Sequence, residues 1–260
     1  MSIFQEKTTV IRLEQLSDEN YFLELHAPQV ANTGQPGQFI MLEVSKGSDP
    51  LLRRPFSLNR LADDGSIRIL FKVVGRGTEI LSHSVKGDIL PILGPLGHGF
   101  EIDTNRPACL VGGGMGIAPM LFLAEKLSKI EGRQMEDIII LGGRNRRELE
   151  PLVGDFDRLG MKLLLATDDG SMGVDGLVTD VLAGEGLSSD YILYSCGPKP
   201  MLAAVYKELG DSGVSCQVSI ESVMACGMGA CLGCSVGARD EGYVHVCTDG
   251  PVFKAEELEW

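Results

Sequence analysis

The stretch Val111-Gly112-Gly113-Gly114-Met115-Gly116-Ile117-Ala118-Pro119 places a cluster of glycines between two apolar segments. Residues 108–111 before it have the pattern of a buried strand, and residues 115–130 after it have the pattern of an apolar helix. Glycines at such a junction let the backbone approach phosphate groups at the N-terminus of the helix. The stretch therefore predicts a nucleotide-binding turn in an α/β domain.

The surrounding sequence, from about residue 105 to residue 210, repeats the order strand, glycine turn, helix. This alternation predicts a Rossmann-like parallel sheet with helices on its faces. Tyr194 to Met201 forms another strand-to-helix turn, at an edge where open parallel sheets bind ligands. An ordinary helix cap is the alternative interpretation.

The nucleotide turn departs from the Gly-x-Gly-x-x-Gly pattern because Ala118 and Pro119 end the run of glycines. No acidic residue closes the second strand, where Gly142-Gly143-Arg144 stands instead. The basic residues 144–147 either neutralise a 2′-phosphate or meet solvent. The sequence alone leaves NAD and NADP both open.

The first 98 or so residues contain short apolar strands separated by Gly, Pro and Asp-Asp-Gly, which predicts a small antiparallel barrel. In the segment 53–59, which follows a predicted strand, a guanidinium, an aromatic ring and a hydroxyl stand close together. That combination suits a ligand with a phosphate and a flat ring system, although an ordinary turn is the alternative. Segment 70–78 runs from a strand into a glycine turn that suits a pyrophosphate. Gly94 to Gly97 is expected to close the barrel as a turn.

Near the C-terminus, four cysteines are separated by four, two and twelve residues: Cys226, Cys231, Cys234 and Cys247. The first two spacings match the plant-type ligand pattern of a [2Fe-2S] cluster. Glycines between them suit a loop wrapped tightly around such a cluster. A zinc site, which usually shows two separated Cys-x-x-Cys pairs, and inert or disulfide-bonded cysteines are the alternatives. Three lone cysteines are expected to be small buried hydrophobes: Cys109, Cys196 and Cys216.

Composition narrows the functional classes. The chain has 260 residues and a net charge of 23 − 36 = −13, which argues against nucleic acid as a general partner. We find neither the apolar core of a secretory signal nor an apolar stretch of membrane-span length, so we expect a cytoplasmic protein that does not bind membranes. The predicted domains are a barrel over 1–99, an α/β domain over 100–212 and a cysteine-rich segment over 213–260.

Three motifs together resemble the ferredoxin-NADP reductase superfamily, and they occur in the order that this family shows: Arg54-Pro55-Phe56-Ser57, Gly112 to Pro119, and Cys196-Gly197-Pro198. The resemblance runs along essentially the whole chain. Within the superfamily, the segment Met224 to Cys234 most resembles the electron transfer subunit family of dihydroorotate dehydrogenase B.

The resemblance implies specific ligand sites. FAD would be held by Arg54, Pro55, Phe56 and Ser57, with Leu70, Phe71 and Lys72 along the isoalloxazine and Gly77 and Thr78 near the pyrophosphate. The nicotinamide site would be shaped by Gly114, Gly116, Cys196, Gly197 and Pro198. Cys226, Cys231, Cys234 and Cys247 would ligate the [2Fe-2S] cluster. Hydride transfer depends on positioning, so no catalytic acid or base is expected.

The resemblance also implies a relay in pyrimidine biosynthesis. An FMN-containing partner subunit, in a heterotetramer, would oxidise dihydroorotate to orotate, and electrons would pass through the cluster and FAD to NAD+. Two alternatives stay open. One is a related NAD(P)H-linked reductase subunit that serves ferredoxin, sulfite reductase or a hydrogenase. The other is a non-enzymatic zinc or redox-sensing module.

Overall fold

The computed structural model describes residues 2–45, 47–240 and 242–260. The first part of the chain is a closed barrel in which β1-β2-β5-β4-β3-β6 follow one another and all pairs are antiparallel. Its strands are β1 (Phe4–Gln15), β2 (Asn20–His26), β3 (Phe39–Leu42), β4 (Arg54–Leu61), β5 (Ser66–Lys72) and β6 (Ile89–Leu96). Two short helices accompany them, α1 (Pro28–Thr33) and α2 (Arg76–Leu81). The predicted barrel is confirmed.

Two local expectations about the barrel are wrong. Segment 53–59 is not a turn after a strand, because Arg54–Leu61 is itself strand β4. Gly94, Pro95 and Leu96 belong to β6 instead of forming a closing turn. Closing a barrel gives every strand a hydrogen-bonding neighbour on both sides, so extended structure reaches into segments whose Gly and Pro content suggests turns.

The second part of the chain forms a seven-stranded sheet in the order β10-β9-β8-β7-β11-β12-β15. Its first five strands along the chain are β7 (Ala108–Gly113), β8 (Ile138–Gly143), β9 (Lys162–Thr167), β10 (Val174–Asp175) and β11 (Ile192–Cys196). The helices are α3 (Ile117–Ser128), α4 (Arg146–Asp157), α5 (Val178–Glu185) and α6 (Lys199–Leu209). Strands β7 and β11 are buried along their whole length, as parallel strands covered on both faces should be.

The end of the chain returns to this sheet. Strand β12 (Ser215–Ser219) pairs in parallel with β11, and the chain then leaves the sheet to form the cysteine loop. A small hairpin of β13 (Ser235–Gly237) and β14 (Tyr243–His245) follows, and β15 (Val252–Lys254) rejoins the sheet antiparallel to β12. The cysteine loop is therefore held at both ends by the α/β sheet. No helix in the described part of the chain is long and apolar enough to cross a membrane.

Candidate functional site

The sequence-predicted flavin residues share one strand of the barrel. Arg54, Pro55, Phe56 and Ser57 lie at the start of β4, and each is half-buried, so each keeps surface open to a ligand. The Phe56 ring meets the Phe71 ring edge-on, with centroids 6.0 Å apart. Phe71 is itself buried, and it supports the Phe56 ring from the barrel core. Leu70 is also buried, but it belongs to the core cluster of the α/β domain on the other face of β5.

The first turn of helix α2, which contains Gly77 and Thr78, lies next to this strand. A Cβ atom on Gly77 would be 2.8 Å from Nε of Arg54, so the guanidinium rests directly on the turn. The Thr78 hydroxyl accepts hydrogen bonds from the backbone N–H groups of Val74 and Gly75, at 3.0 and 3.3 Å. Thr78 therefore braces the turn that carries Gly77. Arg54 and this turn form a cradle of the kind that binds an anionic group.

The predicted nicotinamide residues come together at the carboxyl ends of two adjacent strands. Gly112 pairs with Cys196 in the register of β7 and β11, which sets the two turns side by side. A Cβ atom on Gly116 would lie 2.1 Å from the Cys196 carbonyl oxygen, so only glycine permits this approach. Gly114, with φ of +56° and open space around its Cα, presents bare backbone to a ligand. The Cys196 thiol is buried, and burial raises its pKa to about 12.

A cavity of about 490 Å³ extends from these turns along the edge of the sheet. Its α/β side includes Gly113 and Gly114, and its barrel side includes Asn20 and Lys72. The Lys72 ammonium lies 3.6 Å from the Glu148 carboxylate, across the gap between the two domains. The cavity thus connects the barrel to the end of the sheet where nucleotides bind.

The arginines that follow β8 all have carboxylate partners. Arg144 makes a bidentate contact with Glu148, in which Nε lies 3.0 Å from Oε2. Arg146 lies 3.2 Å from Glu150, and Arg147 lies 2.6 Å from Asp18 of the barrel. Arg144 lies in the bend before helix α4, and Arg146 begins the helix. The three side chains are 62%, 55% and 70% exposed, so each meets solvent as well as its carboxylate partner.

Asp168, directly after β9, also lines the cavity, and its carboxylate makes no hydrogen bond or ion pair among the described residues. No acidic residue directly follows the second strand of the sheet, where the sequence has Gly142-Gly143-Arg144. The structure places one after the neighbouring strand instead. A carboxylate here suits ribose hydroxyls and repels a 2′-phosphate, whereas Arg144, which lines the same cavity, would attract one.

The predicted cluster ligands form two pairs of neighbouring thiols. Cys226 contacts Cys231, Cys234 contacts Cys247, and Cys247 also lies near Cys226. Cys234 and Cys247 are buried, Cys226 is half-buried and Cys231 is exposed. No three Cys, His, Asp or Glu side chains in the described ranges converge tightly enough to hold a single metal ion. Two pairs match the needs of a two-iron cluster better than those of one zinc ion, because each iron takes two thiolates.

Backbone N–H groups point at these sulfur atoms. Cys226 Sγ accepts from Met228 and Cys231 at 3.5 and 3.4 Å, and Cys247 Sγ accepts from Gly229 at 3.2 Å. The Met228 N–H is the main cause that lowers the pKa of Cys226 to about 6, whereas burial raises the pKa of Cys247 to about 12. The loop needs left-handed backbone at Gly227, Gly229 and even Leu232. The N–H groups around Cys226 therefore suit a negatively charged sulfur atom at that position.

The cysteine loop lies against the barrel, on the strand next to the flavin residues. A Cβ atom on Gly227 would lie 2.5 Å from Cγ of Met41 in β3. Met41 pairs with Pro55 in the register of β3 and β4. The cluster ligands and the flavin strand therefore lie on neighbouring strands, although about 170 residues separate them in sequence.

Glu221 precedes this loop, and sequence reasoning takes it first for a capping or surface carboxylate. More than a third of its surface is exposed, yet surrounding protein atoms desolvate the carboxyl group and raise its pKa. It lies close enough to Cys196 to raise the pKa of that thiol as well. Glu221 therefore lies between the cysteine loop and the nicotinamide turn, and its carboxyl group is more desolvated than that of an ordinary surface residue.

Comparison with known proteins agrees with this geometry. Residues 221–259 match the family model of the iron-sulfur cluster binding domain of dihydroorotate dehydrogenase B. The chain is 39% identical over 262 residues to the dihydroorotate dehydrogenase B (NAD(+)) electron transfer subunit of Geobacillus thermodenitrificans, covering 98% of this chain and 99% of the relative. It is 43% identical over 226 residues to the protein of the same name from Caldanaerobacter subterraneus, covering 86% of each.

Solved structures show the same architecture. The NADH-dependent reduced ferredoxin-NADP oxidoreductase, studied for flavin-based electron bifurcation, superimposes with a TM-score of 0.87 at 28% identity, covering 97% of this chain and 90% of that one. The ferredoxin reductase of carbazole 1,9a-dioxygenase superimposes with a TM-score of 0.68 at 24% identity, covering 82% and 67%. The second likeness shows the fold alone.

The barrel, the nucleotide-binding sheet and the cysteine loop define an iron-sulfur flavoprotein reductase of the ferredoxin-NADP reductase fold. Within that class, the chain belongs to the family of dihydroorotate dehydrogenase B electron transfer subunits. The resemblance found in the sequence is confirmed, and so are the fold and the class of oxidoreductase subunit.

Proposed function

We propose that this chain carries electrons from a dihydroorotate-oxidising partner subunit through a [2Fe-2S] cluster and FAD to NAD+. The observation that carries the proposal is the order of the candidate sites in space. The cysteine loop contacts Met41 of β3, and β3 pairs with the flavin strand β4. On β4, the Asn59 side-chain Nδ2 donates a hydrogen bond to the Ala118 carbonyl oxygen of the nicotinamide turn. Such an order suits a relay with the flavin in the middle.

FAD supplies the exchange between two-electron hydride transfer and one-electron transfer when it is bound. The cradle supports its binding, because Arg54 and the Gly77 turn together offer a cation and backbone N–H groups to a pyrophosphate. The half-buried Phe56 and Ser57 line the same strand and offer a ring and a hydroxyl. We assign Pro55, Leu70, Phe71, Lys72 and Thr78 to the walls and support of this site.

At the nicotinamide site, the residues of this chain must position the nicotinamide ring and exclude water. We assign this task to Gly114, Gly116 and the Cys196-Gly197-Pro198 turn, because Gly114 leaves bare backbone at the cavity and Gly116 lets the two turns pack together. The buried Cys196 thiol, with its raised pKa, stays neutral. No acid or base is required of these residues, since hydride transfer depends on approach and orientation.

The partner would meet the chain at the cysteine loop. Cys231 is exposed there, and so are three apolar neighbours: Val223, Met228 and Leu232. Exposed apolar side chains beside the cluster ligands suit a buried interface across which electrons leave. We propose an FMN-containing catalytic subunit at this face and a heterotetramer as the assembly. The divisions at residues 99 and 212, and a cytoplasmic location, remain predictions.

Coexpression with the FMN-containing subunit tests this function. The purified complex should reduce NAD+ when dihydroorotate is added, and the chain alone should not. A second candidate is a reductase subunit for another electron carrier, favoured by the 0.87 TM-score to the ferredoxin-NADP oxidoreductase structure. Failure to assemble with the FMN subunit, together with NADH-driven reduction of ferredoxin, would support that candidate instead.

Metal and flavin analysis of the purified chain tests the cofactors. We expect FAD, iron and acid-labile sulfide, with the visible absorption of both groups. Cys231→Ser should lose iron and keep FAD, because the flavin cradle lies on β4 and not on the cysteine loop. Cys216→Ser, at a buried thiol of β12, is the matched control and should keep its iron. Zinc without iron would contradict the relay.

A further inference from the structure

Asn59 makes a buried contact between the two nucleotide sites. It lies two residues beyond Ser57 on the flavin strand and is 2% exposed. Its side-chain Nδ2 donates a hydrogen bond of 2.9 Å to the Ala118 carbonyl oxygen. Ala118 belongs to the nicotinamide turn, in the first turn of α3. One amide group thus joins the strand proposed to bind FAD to the turn proposed to bind nicotinamide.

The amide is held in one orientation by a buried cation. Arg68 Nε, on the neighbouring strand β5, donates to Asn59 Oδ1 at 2.6 Å. The Arg68 guanidinium also contacts the Asp155 carboxylate of α4 and lies 4.1 Å above the centre of the Phe22 ring. Because Arg68 can only donate, the oxygen of Asn59 must face it and the NH2 group must face Ala118.

The Ala118 end of the contact is equally constrained. Gly116, two residues before Ala118, packs against the Cys196 carbonyl so closely that no side chain fits between them. A shift of Ala118 relative to β4 would therefore move the whole nicotinamide turn together with the Cys196-Gly197-Pro198 turn. The contact lies within the protein interior, where a hydrogen bond is strong and an unpaired group is costly.

We propose that Asn59, oriented by Arg68, is a positioning residue that sets the distance and angle between the flavin strand and the nicotinamide turn. The inference rests on the proposed function, because it assumes that the two sites exchange a hydride. Asn59 itself touches neither reacting group. Its effect follows from the steep dependence of hydride transfer on alignment, in which a displacement of about 1 Å can cost about 100-fold in rate.

Asn59→Asp tests whether the hydrogen bond from Asn59 to Ala118 aligns the two sites or only stabilises the fold. The aspartate keeps an oxygen for Arg68 but loses the side-chain NH2 group that donates to the Ala118 carbonyl from β4. Glu125→Gln is the matched control, because Glu125 pairs with Arg60 at the same domain contact without touching Asn59. Both variants would be purified with FAD and cluster, and flavin reduction by NADH would be followed in a stopped-flow instrument, with 4-deuterated NADH for comparison.

We expect Asn59→Asp to lower the limiting rate of flavin reduction about 10-fold or more while the Kd for NADH stays within about twofold. The deuterium isotope effect should persist or increase. Amide hydrogen exchange in residues 114–122 of the cofactor-free protein should become faster. Glu125→Gln should leave the rate and the exchange close to those of the original protein.

An unchanged limiting rate in folded Asn59→Asp would overturn the inference, and so would a loss that appears only in the Kd for NADH. Asn59→Ser, whose hydroxyl is too short to join Arg68 and Ala118, decides the same question if the aspartate variant does not fold. If NADH does not reduce the flavin of the original protein, the proposed function fails. If NADH reduces the flavin of the original protein and of the Asn59 variants at the same limiting rate, the positioning role fails while the proposed function stands.

Discussion

Gly227 of the cysteine loop lies directly against Met41 of the barrel, since a Cβ atom added to Gly227 would be 2.5 Å from Met41 Cγ. The φ of Gly227 is +72°, a backbone conformation that glycine adopts without strain. Met41 is fully buried and pairs with Pro55 of the flavin strand. One glycine therefore allows the cluster ligands to approach the flavin site.

Gly227→Ala should weaken this contact. The new methyl group would collide with Met41, and the left-handed backbone would cost a further ~1–2 kcal/mol. We expect a lower melting temperature and less iron per chain, measured by thermal denaturation and metal analysis, with FAD retained. Gly154→Ala in α4 is the control, because open space surrounds that glycine and the change should be neutral or stabilising. Full iron content in Gly227→Ala would contradict the close approach.

Arg54→Ala should weaken FAD binding. The guanidinium that rests on the Gly77 turn would be lost, and a hydrogen bond to a charged group contributes about 1.5–3 kcal/mol, or about 10-fold to 100-fold in Kd. Titration of the flavin-free protein with FAD measures the effect. The neighbouring Arg53→Ala removes a cation that lies 3.5 Å from Glu43 and should leave the Kd nearly unchanged. Equal losses in both variants would point to net charge and not to the cradle.

Asp168→Asn should reduce the preference for NAD over NADP. We expect the Kd for ADP-ribose to rise about 10-fold, because a charged acceptor for ribose hydroxyls is lost, and the penalty against 2′-phospho-ADP-ribose to fall. Calorimetry with both ligands needs no flavin or cluster. Asp169→Asn is the matched control, since the Asp169 carboxylate is held by Ser171. Discrimination that survives in Asp168→Asn would assign it to other residues.

The ion pairs of Asp155 with Arg68 and Arg60, between the two domains, should make the free energy of unfolding depend on pH in the acidic range. Burial opposes ionisation of Asp155, but hydrogen bonds and charges from Arg68 and Arg60 prevail and lower the pKa of this carboxyl below its usual value. A lowered pKa stabilises the folded state above the unfolded pKa, about 3.9, and this contribution disappears as the pH falls through the folded pKa.

Asp155→Asn should therefore lower the melting temperature most above about pH 5, and the difference from the original protein should shrink in more acidic buffer. Melting curves from pH 7 to pH 3 measure this. Asp157→Asn, at an exposed position two residues further along α4, should show no such pH-dependent difference. A constant difference for Asp155→Asn across the whole range would argue against the paired carboxylate.

Much of the architecture could be predicted because it depends on local patterns. The glycines at 112–116 between a strand and a helix indicate the nucleotide turn, and the structure has strand β7 and helix α3 on either side of it. The strand character of Arg54–Leu61 was missed, because its hydrogen bonds come from β3 and β5, which are remote in sequence. The nucleotide-binding pattern points to the end of the second strand and so does not indicate Asp168, whereas the cavity also reaches the end of β9.

The available chemical groups and their order follow from the sequence: four cysteines at ligand spacing, a flavin motif and two nicotinamide turns. These motifs can be recognised because each depends only on the residue types and their spacing within one short segment. Which of these groups come into contact depends on the tertiary fold, as in Gly227 against Met41, Asn59 with Ala118, and the arginines after β8 with their carboxylates. These contacts depend on strand register and on packing between domains, and neither is encoded in any short stretch of the chain.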